Sequence, residues 1–532
     1  MKLRINNVRI SLLKETEICD AVAKKIGVDC SALNNIVIVR RAVDARKKED
    51  IYLNFHVQCD VDVPAKTLDR VCSNRDVSKC QKLKQDEPVF GTEKLVAPPV
   101  IVGAGPAGLY ATLELARYGY KPILLERGKP ISERVKDVEK FWTLGEFNPE
   151  SNCQFGEGGA GTFSDGKLTT RVSDPMMATI LKDFVDCGAP ENILFEHKPH
   201  VGTDKLRAMV ANLTKKIGEL GGKVIYNSQV SDIVEEHGTI SRVILKDGSI
   251  ISAGVVLLAC GHSARDTYAM LAQRGVAIET KNFAIGLRIE HPQELIDKAQ
   301  YGKFAGHHLL GAADYMLVYN SPDNMRSAYT FCMCPGGQVV AAASEQGGVV
   351  VNGMSNFQRD SGIANSAVVV NVTADDFGHN PLDGVEFQRK YEQLAFQLGG
   401  KNYSAPAQNV QSFLTNAVPS LNGLISPSYR PKVTVAKLSG CLPDFVINTL
   451  QKGIVDFDKK LHGFADGGAL LTGVETRTSA PLRIVRNRET YVSISHNNLY
   501  PCGEGAGYAG GIMSAALDGF HVARAIMARY AC

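Results

Sequence analysis

No uninterrupted apolar run in this 532-residue chain approaches the roughly 18 residues of a membrane-crossing helix. The first fourteen residues place Asn6, Asn7 and Arg9 where an export signal needs an apolar block, so they read as the first strand of a folded domain and a cytoplasmic location is expected. The thirteen cysteines are odd in number and without a repeating spacing, which argues against a full disulfide framework; most are expected to be reduced and structural. Charge of one sign is scarce as well. The net charge is +3, and residues 1–95 carry 18 Lys/Arg against 14 Asp/Glu, so this segment is +4 and the remainder −1. With no dense basic cluster interleaved with aromatics, nucleic-acid binding is disfavoured, and no ligand spacing calls for a metal. Internal repeats and low-complexity tracts are absent from the sequence too.

What remains is the composition of a soluble globular protein, 44% apolar and 22% charged, long enough for two to four domains. Residues 1 to about 60 show a strand-like start, a helical pattern at Glu17–Ile26 and β-rich runs at Asn35–Ala42 and Ile51–Val61, giving a small N-terminal α+β domain within 1–90. The lysine-rich segment 73–87, closed by Pro88, reads as a linker or surface helix. The basic run Arg40, Arg41, Arg46, Lys47, Lys48 fits either a docking face or, preferably, a solvated hairpin. Helical patterns follow at Met177–Cys187 and Thr203–Leu220, then alternating strands between Lys223 and Ala253 around the turn Asp247-Gly248. Mixed signals over 286–460 suggest an inserted α+β domain that divides one fold into 96–285 and 461–532, with a final helix from about Ile512 to Arg529.

The most informative segment is 98–128. The apolar run Pro98–Val102 leads into Gly103, Gly105 and Gly108, then a helical pattern, then a second apolar run ending at Glu126. This is the order of a dinucleotide-binding βαβ unit. Gly103 allows the tight turn, Gly105 lets the backbone approach a pyrophosphate, and Gly108 lets helix pack on strand. The pyrophosphate sits on free N–H groups at the helix start, beside Pro106 and Ala107. Glu126 is placed to accept hydrogen bonds from a ribose and disfavours a 2′-phosphate. Two further matches to the spacing, Gly156/Gly158/Gly161 and Gly505/Gly507/Gly510, lack the strand, helix and acid of another such unit and do not read as separate nucleotide sites.

The strand-plus-glycine turn from Val255 to Gly261, the closing Gly503-Glu504 and the final helix, taken with the first motif, resemble the FAD-binding glutathione-reductase-like superfamily in its two-domain branch. More narrowly, the stretches Gln154–Leu168, Phe331–Gly337, Asn352–Ser355 and 199–204 are similar to a family of uncharacterised FAD-dependent dehydrogenases with a small N-terminal domain. That resemblance implies an α/β Rossmann-like FAD-binding domain with an inserted α+β substrate domain. It implies that Gly103, Gly105, Gly108 and Glu126 hold the ADP half of FAD, with Arg127 and Arg134 as pyrophosphate or ribose neighbours and Val230 offering backbone groups to adenine. Glu504 stands where the superfamily usually has Asp on the ribityl chain, one methylene longer. The final helix, from Gly511 and Ile512, would aim its dipole at the flavin pyrimidine edge.

Given a flavin, the glycine-rich run Phe155–Leu168 is the best wall for the ring, with Gly159, Ala160, Gly161 and Thr162 as contacts. Glu157, Asp165 and Lys167 offer an acid, a base or a counter-charge, against the alternative of charged side chains that face water. Cys332 and Cys334 form either a redox pair or, preferably, two reduced thiols at a packed strand end. His200, His262, His291, His307 and His308 are candidate acid–base groups that no spacing distinguishes, and Trp142 reads as packing. The activity expected is hydride transfer between FAD and an unidentified organic small molecule, with NAD(P)H as a transient donor or another electron carrier in its place. A tRNA-modifying flavoprotein and a flavin-bound regulatory scaffold are the alternatives.

Overall fold

The computed structural model describes residues 1–14, 16–80, 87–323 and 326–532. The N-terminal unit runs β1 (Lys2–Ser11), α1 (Ile18–Ile26), β2 (Leu33–Asp44), β3 (Tyr52–Val61), α2 (Ala65–Cys72) and β4 (Val77–Lys79). Its antiparallel sheet has the order β2-β3-β1-β4, which with this βαββαβ succession is the ferredoxin-like arrangement. Strict alternation in β3 buries Leu53, Phe55, Val57, Cys59 and Val61 against Val22 and Ile26 of α1. The linker reading of 73–87 is corrected in part: Val77–Lys79 is the fourth strand, too short to show a period, while 81–86 lie outside the described residues. Cys19 and Cys30 are joined by a disulfide, and the other eleven cysteines are free. The basic run is in part a docking face within the chain. Arg41 exchanges backbone hydrogen bonds with Phe195 and His197 and pairs with Glu196 at 2.6 Å, while Arg40 reaches the His197 ring.

After β5 (Glu93–Lys94), the parallel-sheet layer comprises β6 (Pro99–Val102), α3 (Pro106–Arg117), β7 (Ile123–Leu125), α4 (Ile131–Leu144), α5 (Met177–Asp186), α6 (Thr203–Glu219) and β8 (Lys223–Ile225). A three-stranded antiparallel sheet of β9 (Val230–Glu236), β10 (Thr239–Leu245) and β11 (Ile250–Ser252) precedes β12 (Val255–Leu258), α7 (Arg265–Gln273) and β13 (Ile278–Thr280).

The insert follows with β14 (Phe283–Pro292), α8 (Gln293–Tyr301), β15 (Val318–Asn320), β16 (Ser327–Cys334), β17 (Gln338–Ala341), β18 (Val351–Met354), β19 (Ile363–Val372), α9 (Ala374–Phe377), α10 (Asp383–Leu398), β20 (Ala405–Asn409), α11 (Val410–Thr415), β21 (Val433–Val435), α12 (Asp444–Lys460) and β22 (Leu470–Glu475). The chain closes with β23 (Leu482–Ile484), β24 (Leu499–Pro501), α13 (Ile512–Arg529) and β25 (Tyr530–Ala531), the last pairing with β5.

Five parallel strands form the sheet β24-β12-β6-β7-β8. The apolar runs of β24, β12 and β6 are buried on both faces, as a parallel sheet requires. α3, α6 and α13 cover one side through Leu109, Leu213 and Phe520; the small sheet and α7 cover the other through Ile233, Val243 and Leu271. The insert is built on a seven-stranded sheet, β15-β16-β19-β14-β22-β20-β21. Val446, Leu450, Ile454 and Phe457 of α12 pack on its Ile285, Leu287, Val368 and Val370. The opposite face carries Arg288 and Glu475 beside Ala284, Ala367 and Val369. β22 follows position 460 yet lies inside this sheet, so the strand that closes the insert comes after the helix α12.

Candidate cofactor site

The carboxyl ends of β6, β12 and β24 lie side by side in the parallel sheet, and each runs into a glycine turn: Gly103, Gly261 and Gly503. Open α/β sheets bind ligands at this edge. Gly103 has φ 102°, and a Cβ there would stand 2.4 Å from the Ala259 carbonyl oxygen. At Gly108 a Cβ would meet the Gly103 oxygen at 1.9 Å, so this glycine is needed for α3 to sit against its own turn. Gly105 differs. It caps α3, and the nearest atom to a Cβ there lies 3.9 Å away, so packing leaves the position open for an approaching ligand. Pro106 opens α3 where no N–H partner is needed, and Ala107 is buried under Gly519 of α13, where a Cβ would meet the Ala107 oxygen at 2.2 Å. Around Gly261, Gly510 and Gly511 no atom lies within 4 Å of such a Cβ.

Glu126, at the end of β7, is 4% exposed. Its carboxylate accepts the N–H groups of Ala104 (2.8 Å), Gly128 (2.8 Å) and Gly156 (2.9 Å). A carboxylate has about four lone-pair sites, so a ribose hydroxyl can still be accommodated. The Gly156 contact draws the second glycine run to the first turn, where the Gly158 N–H donates to the Ala104 oxygen at 2.8 Å and a Cβ on Gly159 would lie 2.9 Å from the Gly105 Cα. Ala160 to Phe163 form a 3-10 turn, and a Cβ on Gly161 would touch Ile512 at the start of α13. The Thr162 hydroxyl is buried and unpartnered, and its carbonyl oxygen accepts from Thr203 at 2.6 Å. The run that fails as a nucleotide motif in sequence is therefore a wall of the same crevice.

Three site candidates have partners within the chain. Arg134 is fully buried in α4 and donates to the carbonyl oxygens of Asn152 (2.9 Å), Gly156 (3.2 Å), Glu157 (2.6 Å) and Gly159 (3.0 Å), so it braces the loop. Its Nη2 is buried without a partner, and burial lowers its pKa to about 10, both of which an anion at this place would relieve. Arg127 stacks on the Phe155 ring and pairs with Glu150 and Asp266, each at 2.9 Å, rather than standing free for a phosphate. Glu157 is 3% exposed and accepts the Ile131 N–H at 2.6 Å, which caps α4 and gives it a structural task. Val230 opens β9 opposite Leu245.

Asp165 is held as a carboxylate well below its usual range: burial opposes the charge, but Lys167 at 2.6 Å and Arg359 at 2.5 Å outweigh it, and the Ser355 hydroxyl also donates to it. So held, it cannot take up a proton near neutrality. Lys167 also donates to the Met333 carbonyl oxygen and retains a partly exposed ammonium. Cys332 and Cys334 are not bonded to each other; the Cys334 thiol faces the Cys332 oxygen at 3.3 Å. Solvent reaches Cys332, yet the depth of protein around it pushes its thiol up to about 12, which disfavours the thiolate. Of the histidines, His200 bonds the Phe357 oxygen at 3.0 Å, His291 the Phe464 oxygen at 2.8 Å, and His307 stacks on His308. Trp142 packs edge-on against Phe163 and donates to the Ala341 oxygen.

Sequence reasoning missed a buried ion cluster that joins the insert to this crevice. Glu392 of α10 accepts from Arg265 of α7 at 2.8 Å and from Arg477, just after β22, at 2.7 Å; Glu345 and Arg389 extend the set. Arg477 also donates to the Ser263 hydroxyl, which reaches Gln154 of the loop. No spacing could reveal partners so far apart in the chain. One signal was available: Ser263, Arg265 and Asp266 follow directly on the strand-end turn at Gly261.

The cradle suits an ADP-containing dinucleotide such as FAD: an open glycine at the start of α3, a strand-end acid and a buried unpartnered guanidinium nitrogen. Comparison with known proteins agrees. Residues 282–478 match the family model described as FAD-dependent protein, C-terminal domain-like, and residues 2–60 match a domain of unknown function. An uncharacterized protein of Clostridium beijerinckii is 48% identical over 533 residues, covering 100% of this chain and 99% of that one. Among solved structures, the tetracycline destructase Tet(51) aligns at 14% identity and TM-score 0.33 over 81% of this chain and 80% of its own. Glycine oxidase from Bacillus cereus aligns at 10% identity and TM-score 0.34 over 80% and 94%. These two likenesses are too slight to bear on the chemistry. The chain belongs to one family with the Clostridium beijerinckii protein, and its matched C-terminal domain marks it as a flavoprotein.

Proposed function

We propose that this protein is an FAD-dependent oxidoreductase that exchanges a hydride with an organic small molecule held between the nucleotide-binding layer and the insert. The observation that carries the reading is the convergence of three strand-end glycine turns, Gly103, Gly261 and Gly503, on one crevice next to the seven-stranded sheet. The flavin, when bound, supplies the two-electron chemistry. The chain's residues do the rest. Glu126 and the start of α3 hold the ADP half, while the loop 156–162 and the start of α13 form the wall for the ring. Lys167 and Arg359, both paired with Asp165, place positive charge on the adjoining Phe155–Leu168 run, where negative charge on substrate or reduced ring would be stabilised.

Asp165 acts through Lys167 and Arg359 as a positioning residue, so Asp165→Asn is expected to weaken substrate binding without moving the pH optimum. No second dinucleotide unit accompanies the first, so NAD(P)H reduces the protein by transient binding near the ring, or another carrier takes its place. Anaerobic mixing with NADH and with NADPH separates these: bleaching of the flavin band near about 450 nm supports direct reduction, and an unchanged spectrum removes it. A purified protein that neither carries nor takes up FAD would overturn the whole reading.

A further inference from the structure

Glu504 and His262 lie in the turns that follow the adjacent parallel strands β24 and β12, each one residue beyond the glycine of its turn. The two turns are locked together, since a Cβ on Gly505 would lie 2.5 Å from the Gly261 oxygen and the Tyr268 hydroxyl donates to the Gly505 oxygen at 2.7 Å. Beside them the space around Gly261 and Gly510 is open. About a quarter of the Glu504 side chain faces solvent, and among the described residues its carboxylate has no hydrogen bond and no Lys or Arg within ion-pair distance. His262 Nδ1 lies 3.7 Å from its Oε1.

His262 cannot supply the missing positive charge. Its ring is 8% exposed, its Nε2 is buried without a partner, and burial together with Arg477 and Arg265 lowers it to about 3. Lys281 lies farther off, is itself lowered by burial, and faces Arg483; Tyr268 packs behind as a neutral phenol. A carboxylate in this place therefore faces a crevice that receives a dinucleotide with two phosphate charges, and Lys281, the cation that acts on it, forms no ion pair with it. Burial already raises Glu504 to about 7 before any anion arrives.

We propose that Glu504, backed by neutral His262, takes up a proton from solvent when the dinucleotide binds and contacts it as a neutral carboxyl. This rests on the reading of the crevice as an FAD site. The balance is one proton added to one Glu504 carboxylate; His262 stays neutral and receives the new O–H at Nδ1. The acid at this place is then a binding residue with a proton to hold, and His262 is its positioning residue.

The test is calorimetric titration of the full-length apoprotein with FAD at pH 7.5 in phosphate and in Tris, whose different ionisation heats report proton exchange. About half a proton taken up per FAD is expected, with affinity falling about threefold to tenfold from pH 6 to pH 8.5. Glu504→Gln, close in shape and unable to ionise, should bind with no uptake and a flat pH profile. Glu504→Asp should retain uptake with a shifted midpoint, which guards against a folding defect in the amide variant. His262→Asn should move the midpoint while uptake persists. FAD binding without uptake in the native protein, or uptake that survives in Glu504→Gln, overturns the proposal. Failure to bind FAD at any pH overturns the reading beneath it as well.

Discussion

At the scale of single residues, the glycines of the first turn divide by what surrounds them. Gly103→Ala forces a side chain into a positive φ and against the Ala259 oxygen, a combination of strain and overlap that should cost about 2–4 kcal/mol in chemical denaturation. Gly105→Ala meets nothing nearer than 3.9 Å and should leave stability within about 1 kcal/mol while weakening FAD retention at least tenfold. Equal losses of stability in the two variants would contradict this division. Glu290 offers a second residue-scale prediction. It is fully buried on β14, accepts from the Ser428 N–H and hydroxyl, leaves Oε2 without a partner, and is raised to about 7 by burial. Because the folded state holds this proton more tightly than the unfolded chain, its contribution falls as pH rises from about 4.5 to about 7 and is level above that. Glu290→Gln should remove about 1–3 kcal/mol of pH-dependent stability across that window, measured by urea melts at pH 5 and pH 7.5.

At the scale of elements, the loop after α4 is held by side chains rather than by regular structure. Arg134 collects four carbonyl oxygens of the loop, and Glu157 returns the favour by capping α4 through Ile131. Glu157→Ala should therefore cost about 1–2 kcal/mol of stability, as the loss of a helix cap does, while Glu157→Gln should leave turnover close to native. A large loss of turnover in the Gln variant with an unchanged melt would return Glu157 to the chemistry. This scale also shows how much the sequence exposes. The periodic helices at Met177–Asp186, Thr203–Glu219 and Ile512–Arg529 and the alternating strands β3, β9 and β10 were legible because each repeats its period. Val77–Lys79 and Val433–Val435 were not, because three residues carry no period and are strands only through the partners beside them.

At the scale of the whole molecule, the nucleotide-binding layer and the insert are tied by the Arg265–Glu392–Arg477 cluster. Glu392 is 2% exposed, and its two arginines hold it far below the usual carboxylate range against the opposing effect of burial. Glu392→Ala would strand two buried guanidinium groups and should cost about 3–5 kcal/mol, visible in denaturant melts followed by Trp142 fluorescence. A group whose folded value is depressed contributes stability above the unfolded value, so the native protein should lose this contribution as pH falls below about 4.5. A melt unchanged by Glu392→Ala would show that the two layers do not depend on the cluster.

The sequence by itself determined the cofactor class and the strand that carries it, since a glycine turn, a helix start and a strand-end acid are local and each residue type has one physical task. In it the two later glycine runs lack the strand, helix and acid of a nucleotide unit. Only the tertiary structure decided what those runs do, which charges are free and which are spent. Arg127 and Glu157 look in sequence like a ligand and a catalyst, and are engaged by carboxylates and a helix start, while Arg134 braces the loop through carbonyl oxygens and keeps only Nη2 without a partner. Glu504 looks like a slightly long version of a ribityl contact, and packing leaves it without a cation beside a histidine that burial keeps neutral. Such pairings join residues far apart in the chain, and the burial of apolar faces brings them together rather than any spacing between them.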